Sequence, residues 1–135
     1  MYSLRKSKKG FTLIELMVVV AIIGVLALLG LRLYTGQQAK AKEAIVKANA
    51  GTVQTLIQSE MADGPVSLAE AQAVAVEAGL RNPFSGVAMT NASDFPAAAA
   101  NPGEVQIDEI TSGIHYEVTG YGATGLIPEV LTARR

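Results

Sequence analysis

Residues 10–31 read GFTLIELMVVVAIIGVLALLGL, and this apolar run decides the fold of the chain. No polar side chain occurs between Leu16 and Leu31. At the rise of an α-helix, the 21 residues from Phe11 to Leu31 extend about 30 Å, which is the thickness of the hydrocarbon core of a bilayer. The run therefore predicts a membrane-spanning helix near the N-terminus.

The charges are distributed unevenly on the two sides of this run. The first ten residues carry four bases and no acids, which leaves seven bases against 12 acids, a charge of −5, for residues 11–135. Lys and Arg next to a span favour the cytoplasmic side, so we expect the body of the chain on the opposite side. An acidic body argues against a surface that binds nucleic acid by neutralising phosphates.

Glu15 is the only charged residue in the run. A carboxylate inside a membrane costs roughly 2.5–3.5 kcal/mol on insertion scales, so such a residue is a candidate functional site. No base within the run is available to pair with it. A plain membrane anchor leaves this acid unexplained, and a cleaved secretory signal would have a shorter apolar core before a small-residue cleavage site.

The residues around Glu15 occur in an order that resembles a known family. Lys9-Gly10-Phe11-Thr12-Leu13-Ile14-Glu15 is similar to the class III leader junction of bacterial type IV prepilins and pseudopilins, and the resemblance extends to about residue 60. It implies that a prepilin peptidase cuts between Gly10 and Phe11 on the cytoplasmic side and then N-methylates the Phe11 amine. Gly10 suits this cut because it lets the peptidase approach the backbone closely.

The resemblance also implies a role for the acid in assembly. Glu15 is expected to pair with the Phe11 amine of a neighbouring subunit, with Thr12 in the same group, so that these residues set the register of the filament. A charge buried without its partner is strongly unfavourable, which would disfavour incorrect registers. Many members have a proline about twenty residues after the cut. This chain has none there, and Gly24 and Gly30 are the expected points of helix flexibility, each about 1 kcal/mol less favourable than alanine.

The rest of the chain predicts an α+β head. Residues 37–61 continue the helix as an amphipathic segment that ends at Asp63-Gly64-Pro65. We expect its apolar positions at helical spacing to pack on a sheet: Ile45, Ala48, Thr52 and Leu56, with Val53, Ile57 and Met61 alongside.

Shorter elements follow in the connector and the sheet. Ser67 to Glu70 has the sequence of a capping box, which predicts a short helix that runs to Ala78 and ends at Gly79. Residues 91–103 predict a long polar loop, and alternating residues predict a hairpin with its turn at 111–113. The predicted strands are 87–90, 104–110, 114–119 and 126–132, the last at an edge because it contains Pro128.

Together these elements correspond to the type IV pilin fold that the resemblance implies, a long N-terminal helix on an antiparallel sheet of three to four strands. The expected organisation is a cleaved basic leader at 1–10, a transmembrane and filament-core helix at 11–35 and a globular head at 36–135. Within the head we expect a helix at 36–62, a connector with a short helix at 63–86 and the sheet at 87–135.

No pattern of residues indicates catalysis or a cofactor. His115 is the only histidine and cysteine is absent, so a transition-metal site lacks ligands; we expect His115 on the outer face of the hairpin with Glu117. Asp108 and Glu109 lack the dense oxygen spacing of a calcium loop. The hydroxyl side chains of the C-terminal half have no neighbouring base to activate them. We therefore expect neither an enzyme nor a metal site.

The resemblance implies a structural subunit that polymerises with copies of itself into a helical filament. Its other partners would be the prepilin peptidase, an inner-membrane assembly platform and, before assembly, the lipid of the bacterial inner membrane. The assembled pilus would lie at the cell surface and support adhesion, twitching motility or DNA uptake. Two alternatives stay open: a pseudopilin of a type II secretion system, and a membrane-anchored binding module that is never cleaved.

Overall fold

The computed structural model describes residues 10–135, so the predicted leader at 1–9 lies outside the described residues. The chain divides into two compact units, one up to Gln37 and one from Gln38 to Arg135. Helix α1, Leu13–Asp63, contributes residues to both units.

The first unit consists of the apolar part of α1. Its side chains are exposed along the whole stretch from Leu13 to Gln37. By length and composition, α1 qualifies as a membrane span, and none of its most apolar 18-residue window is buried. This exposure agrees with the predicted membrane segment. An apolar helix surface is unfavourable in water, so it needs lipid or another protein to cover it.

In the second unit, α1 packs on the sheet through part of the predicted apolar set, since Val53, Ile57 and Met61 are buried as predicted. Ile45, Ala48 and Thr52 are exposed, so their predicted place in the core is wrong. Two adjacent rows of this helix are apolar or small, and helical spacing alone does not say which of them faces a sheet formed 50 residues later. The buried row is Val46, Asn49, Ala50, Val53, Ile57 and Met61.

Asn49 is the polar member of this buried row. Its side chain is 8% exposed, and Nδ2 donates a hydrogen bond of 3.0 Å to the Arg81 carbonyl. Because the amide is paired, its burial is tolerated. The bond fixes the connector after the second helix against α1.

The second helix, α2, spans Leu68–Glu77 and begins as predicted. The Ser67 backbone N–H and hydroxyl each lie 2.7 Å from Glu70 Oε2, and the Glu70 N–H donates back to Ser67 Oγ, which completes a capping box. The bond from the Ser67 backbone N–H and the one from its side chain lower the pKa of Glu70. After the helix, Gly79 has φ +64°, where glycine avoids the strain of a side chain.

Three antiparallel strands form the sheet in the order β1-β2-β3, so the predicted hairpin and the edge position of the last strand are confirmed. They are β1, Val105–Thr111, β2, His115–Gly122, and β3, Gly125–Arg134. Strand β2 extends beyond its predicted end at 119, so the turn before β3 consists of residues 123–124 alone. Its glycines permit this extension because Gly120 and Gly122 lie where the strand passes close to α1 and β3.

The predicted strand at 87–90 is wrong. Only an isolated bridge between Arg81 and Ala88 forms there, and Asn82 holds the turn between them. Asn82 Oδ1 accepts from the Phe84 N–H at 2.8 Å, and Nδ2 donates to the Pro102 carbonyl at 2.9 Å. The same side chain thus holds the loop at 91–103, which contains a short 3-10 helix, Ala92–Asp94.

The core lies between α1, α2 and the inner face of the sheet. Tyr116 and Phe95 are its largest fully buried side chains. The structure therefore confirms the predicted α+β fold of a long helix on a small antiparallel sheet, with three strands.

Candidate assembly site

The candidate site lies at the start of α1, where Thr12 and Glu15 form a second capping box. The Thr12 backbone N–H and hydroxyl each lie 2.9 Å from Glu15 Oε2, and the Glu15 N–H donates to Thr12 Oγ1 at 3.3 Å. This reciprocal pair satisfies donors that the first turn of a helix otherwise leaves unpaired. Within its own chain, then, Glu15 caps the helix.

Thr12 and Glu15 were predicted to act together in assembly, but the cap that joins them within the chain was not predicted. The signal was present, because Thr12-Leu13-Ile14-Glu15 is the same S/T-x-x-E pattern that identified the start of α2. The cap leaves one carboxylate oxygen available, since Oε1 accepts no hydrogen bond from the described residues. The site thus presents a carboxylate near the positive end of the helix dipole, one turn from Phe11.

The surface around the acid is apolar and uncovered. Phe11 is 91% exposed, and the large apolar side chains from Leu13 to Leu33 are all at least half exposed. An exposed apolar surface of this extent indicates a membrane or protein partner. The site therefore consists of one carboxylate at the start of an exposed apolar helix surface.

Gly24 and Gly30 both lie inside α1, where the chain is helical. A Cβ atom built at either position meets no atom within 4 Å. Neither glycine is thus required by close packing within the chain, and their role as points of flexibility stays a prediction.

His115 lies on β2 on the same face as Glu117, as predicted, and both side chains are half-buried. His115 Nε2 is shielded from solvent and has no hydrogen-bond partner among residues 10–135. Its strand neighbours are Thr111 and Arg134, neither of them a metal ligand of choice. Within the described residues, no group of three His, Cys, Asp or Glu side chains is placed to hold a metal ion.

Comparison with known proteins connects the site to a sequence motif. Residues 5–31 match the family model of the prokaryotic N-terminal methylation motif. That segment contains Gly10, Phe11, Thr12 and Glu15, together with the exposed apolar part of α1. No solved structure gives a significant match to this chain.

Curated relatives share mainly the N-terminal part of the chain. Fimbrial protein EcpB of Eikenella corrodens is 48% identical over 59 residues, which cover 44% of this chain and 37% of the relative. Type IV major fimbrial protein FimA of Dichelobacter nodosus is 41% identical over 61 residues, covering 45% and 39%. The chain thus spans about two fifths of the length of these relatives.

One relative aligns through the head as well. A fimbrial protein of Dichelobacter nodosus is 28% identical over 134 residues, which cover 98% of this chain and 80% of the relative. The methylation motif, the long apolar helix and these similarities agree with one another. The chain is therefore a relative of the type IV fimbrial proteins, and carries the N-terminal methylation motif of prokaryotes.

Proposed function

We propose that this chain is a structural subunit of a type IV pilus that polymerises through the N-terminal part of α1. The observation that carries this proposal is the exposed apolar surface from Leu13 to Leu33 with a single carboxylate, Glu15, at its start. Such a surface suits lipid before assembly and the helices of other copies afterwards, because both environments cover apolar groups. The similarity to fimbrial proteins supports the same conclusion.

The proposed maturation begins with hydrolysis of the peptide bond between Gly10 and Phe11 by a prepilin peptidase, followed by methylation of the new Phe11 amine. Cleavage would create a positively charged amine at Phe11, four residues before Glu15. We propose that Glu15 Oε1, which the cap leaves available, accepts a hydrogen bond from the Phe11 amine of a neighbouring copy. Such pairing offsets the unfavourable burial of both charges and makes one register of the filament more stable than the others.

The cap and the proposed ion pair can be tested separately because glutamine also completes a capping box. Glu15→Gln keeps the cap and removes the charge, whereas Thr12→Ala removes the two hydrogen bonds of the Thr12 hydroxyl, leaves the one from its backbone N–H, and keeps the charge. We expect both variants to be cleaved and methylated, as measured by mass spectrometry of the mature N-terminus. Filament yield should fall strongly for Glu15→Gln and Glu15→Val, and much less for Thr12→Ala.

Two results would contradict the proposal. Normal filaments from Glu15→Gln would show that the carboxylate only caps the helix and does not set the register. A mature chain that keeps residues 1–10, or that never leaves the membrane as a polymer, would exclude the pilus subunit. Replacing Gly10 by a bulky residue should leave the leader uncut and provides the processing control.

The same proposal places the chain in the bacterial inner membrane before assembly and at the cell surface afterwards. The assembly platform would transfer each copy from lipid into the growing filament. Adhesion, twitching motility and DNA uptake are the proposed roles, and a deletion strain assayed for each would assign them. Loss of protein secretion without loss of surface filaments would instead identify a pseudopilin.

A further inference from the structure

The outer face of the sheet, which points away from α1, carries two acids directly opposite each other. Asp108 on β1 and Glu117 on β2 are register partners, and both side chains are half-buried. Their neighbours in sequence, Ile107 and Val118, are fully buried on the inner face. Like charges at directly opposite positions destabilise an antiparallel pair, so this pair is unfavourable in an isolated chain.

Among residues 10–135, no cation forms an ion pair with Asp108 or Glu117. Within residues 10–135, the ion pair that forms is between Lys47 and Glu129, 3.1 Å apart. Arg134 lies diagonally across from Glu117 on β3, yet it makes no ion pair with either acid in the described structure. The two acids therefore have no ion-pair partner in the part of the chain that the structure describes.

Several basic side chains of the head already contact another group of the same chain. Lys42 Nζ lies 5.5 Å from the centre of the Phe84 ring, and Arg81 donates to the Gly86 carbonyl at 2.9 Å. Lys47 is paired with Glu129. Lys40 is exposed on α1 and makes no side-chain contact of this kind within residues 10–135.

We propose that Asp108 and Glu117 receive the Lys40 ammonium of a second copy of this chain in the filament. The occupant follows from charge complementarity: one copy presents two unpaired acids, and another presents an unpaired lysine on its exposed helix face. A lysine between the carboxylates would turn a repulsive pair into an attractive group of three charges. This inference rests on the proposed pilus function, since it needs copies packed side by side.

The geometry of the head also predicts how far the second copy is displaced along α1. Thr132, the register partner of Glu117, accepts a hydrogen bond from Gln54, so the acids lie at the level of Gln54 along α1. Lys40 precedes Gln54 by 14 residues, or about 21 Å of helix. A second copy displaced by this distance along α1 brings its Lys40 level with the acids.

The absence of cysteine from the chain allows a direct test by disulfide crosslinking. Filaments built from a K40C/E117C variant should form intermolecular disulfides on oxidation and give a ladder of multimers on a non-reducing gel. The matched control is K40C/E77C, since Glu77 is an exposed acid on α2, away from the sheet face. A ladder no stronger than that of the control overturns the contact.

A charge exchange supplies a second measurement. K40E and E117K should each lower the amount of subunit recovered in sheared filaments severalfold, and K40E/E117K in one chain should restore most of it. Filaments that dissociate with a chelator and are unaffected by K40E would show that the acids bind a divalent cation, which overturns the proposal. If the unmodified chain forms no filaments, the pilus function fails; if filaments form without the K40C–E117C crosslink, this contact alone fails.

Discussion

Gln58 on α1 hydrogen-bonds both polar groups of the Arg134 backbone on β3. Its Oε1 accepts from the Arg134 N–H at 2.9 Å, and its Nε2 donates to the Arg134 carbonyl. One turn earlier, Gln54 Nε2 donates to the Thr132 carbonyl at 2.9 Å. The four residues from Gln54 to Gln58 rise about 6 Å along the helix, and the two from Thr132 to Arg134 rise about 6.7 Å along the strand. The spacing of the two glutamines therefore matches the spacing of the backbone groups that they bind. The edge is therefore occupied by α1 rather than open to another strand.

Replacing both glutamines should loosen β3. We expect Gln54→Ala/Gln58→Ala to lower the free energy of unfolding by about 2–4 kcal/mol, because three hydrogen bonds are lost and each contributes about 1 kcal/mol. The Arg134 amide should also exchange with solvent faster. Urea unfolding of the full chain in detergent and hydrogen exchange measure these effects. Ser59→Ala, on the exposed face of α1, is the control and should shift stability by less than about 0.5 kcal/mol.

Gly120 lies where β2 passes close to α1. A Cβ atom there would lie 2.5 Å from Val46 Cγ1, and Val46 is fully buried. We expect Gly120→Ala to lower the free energy of unfolding by about 1–3 kcal/mol, as overpacking does. Gly51→Ala is the control, since its Cβ would lie 4.0 Å from the nearest atom, on Leu131. Adding Val46→Ala to Gly120→Ala should cost less than the sum of the two single changes, and strict additivity would contradict the clash.

Tyr116 predicts a loss of stability at alkaline pH. Burial, together with the hydrogen bond and charge of Glu109 and the charge of Glu70, raises the pKa of Tyr116 to about 12. Its hydroxyl donates to the Val66 carbonyl, which joins β2 to the connector before α2. Because the folded chain holds this proton more tightly than the unfolded chain, its contribution is full below pH 10 and is lost between pH 10 and 12.

The control for this titration is Tyr116→Phe, which removes the proton and keeps the ring. At neutral pH it should be less stable by about 1 kcal/mol, since a hydrogen bond is lost. Between pH 10 and 12 the difference between the two chains should shrink, as measured by urea unfolding at each pH. Parallel stability curves over that interval would contradict the raised pKa of Tyr116.

Gly24 and Gly30 give a prediction about the filament. A methyl group at either position meets no atom within the chain, so Gly24→Ala/Gly30→Ala should leave the isolated subunit folded. It should strengthen α1 by about 2 kcal/mol in total, at about 1 kcal/mol per glycine. If the helix unwinds there during assembly, the variant should assemble more slowly, as measured by filament yield over time. Unchanged assembly would exclude the unwinding, and Gly36→Ala provides a comparison outside the predicted segment.

Several features of this chain followed from local sequence, and the structure reproduced them. The capping box at Ser67, the glycine after α2 and the hairpin between β1 and β2, whose turn lies at 112–114, one residue later than predicted, each depend on residues within a few positions of one another. The cap at Thr12 belongs to the same class, since Thr12 and Glu15 have the same spacing as Ser67 and Glu70. The prediction of a strand at 87–90 was wrong because a short apolar segment does not specify its pairing partner.

The sequence by itself determined the membrane-length helix, its basic flank, its lone acid and the α+β class, because composition and periodicity are properties of neighbouring residues. Only the tertiary structure decided which row of α1 is buried, that Gln58 closes the edge at Arg134, and that Asp108 meets Glu117. Gln58 and Arg134 are separated by 76 positions, and such contacts arise from the packing of whole elements, which local pattern does not encode.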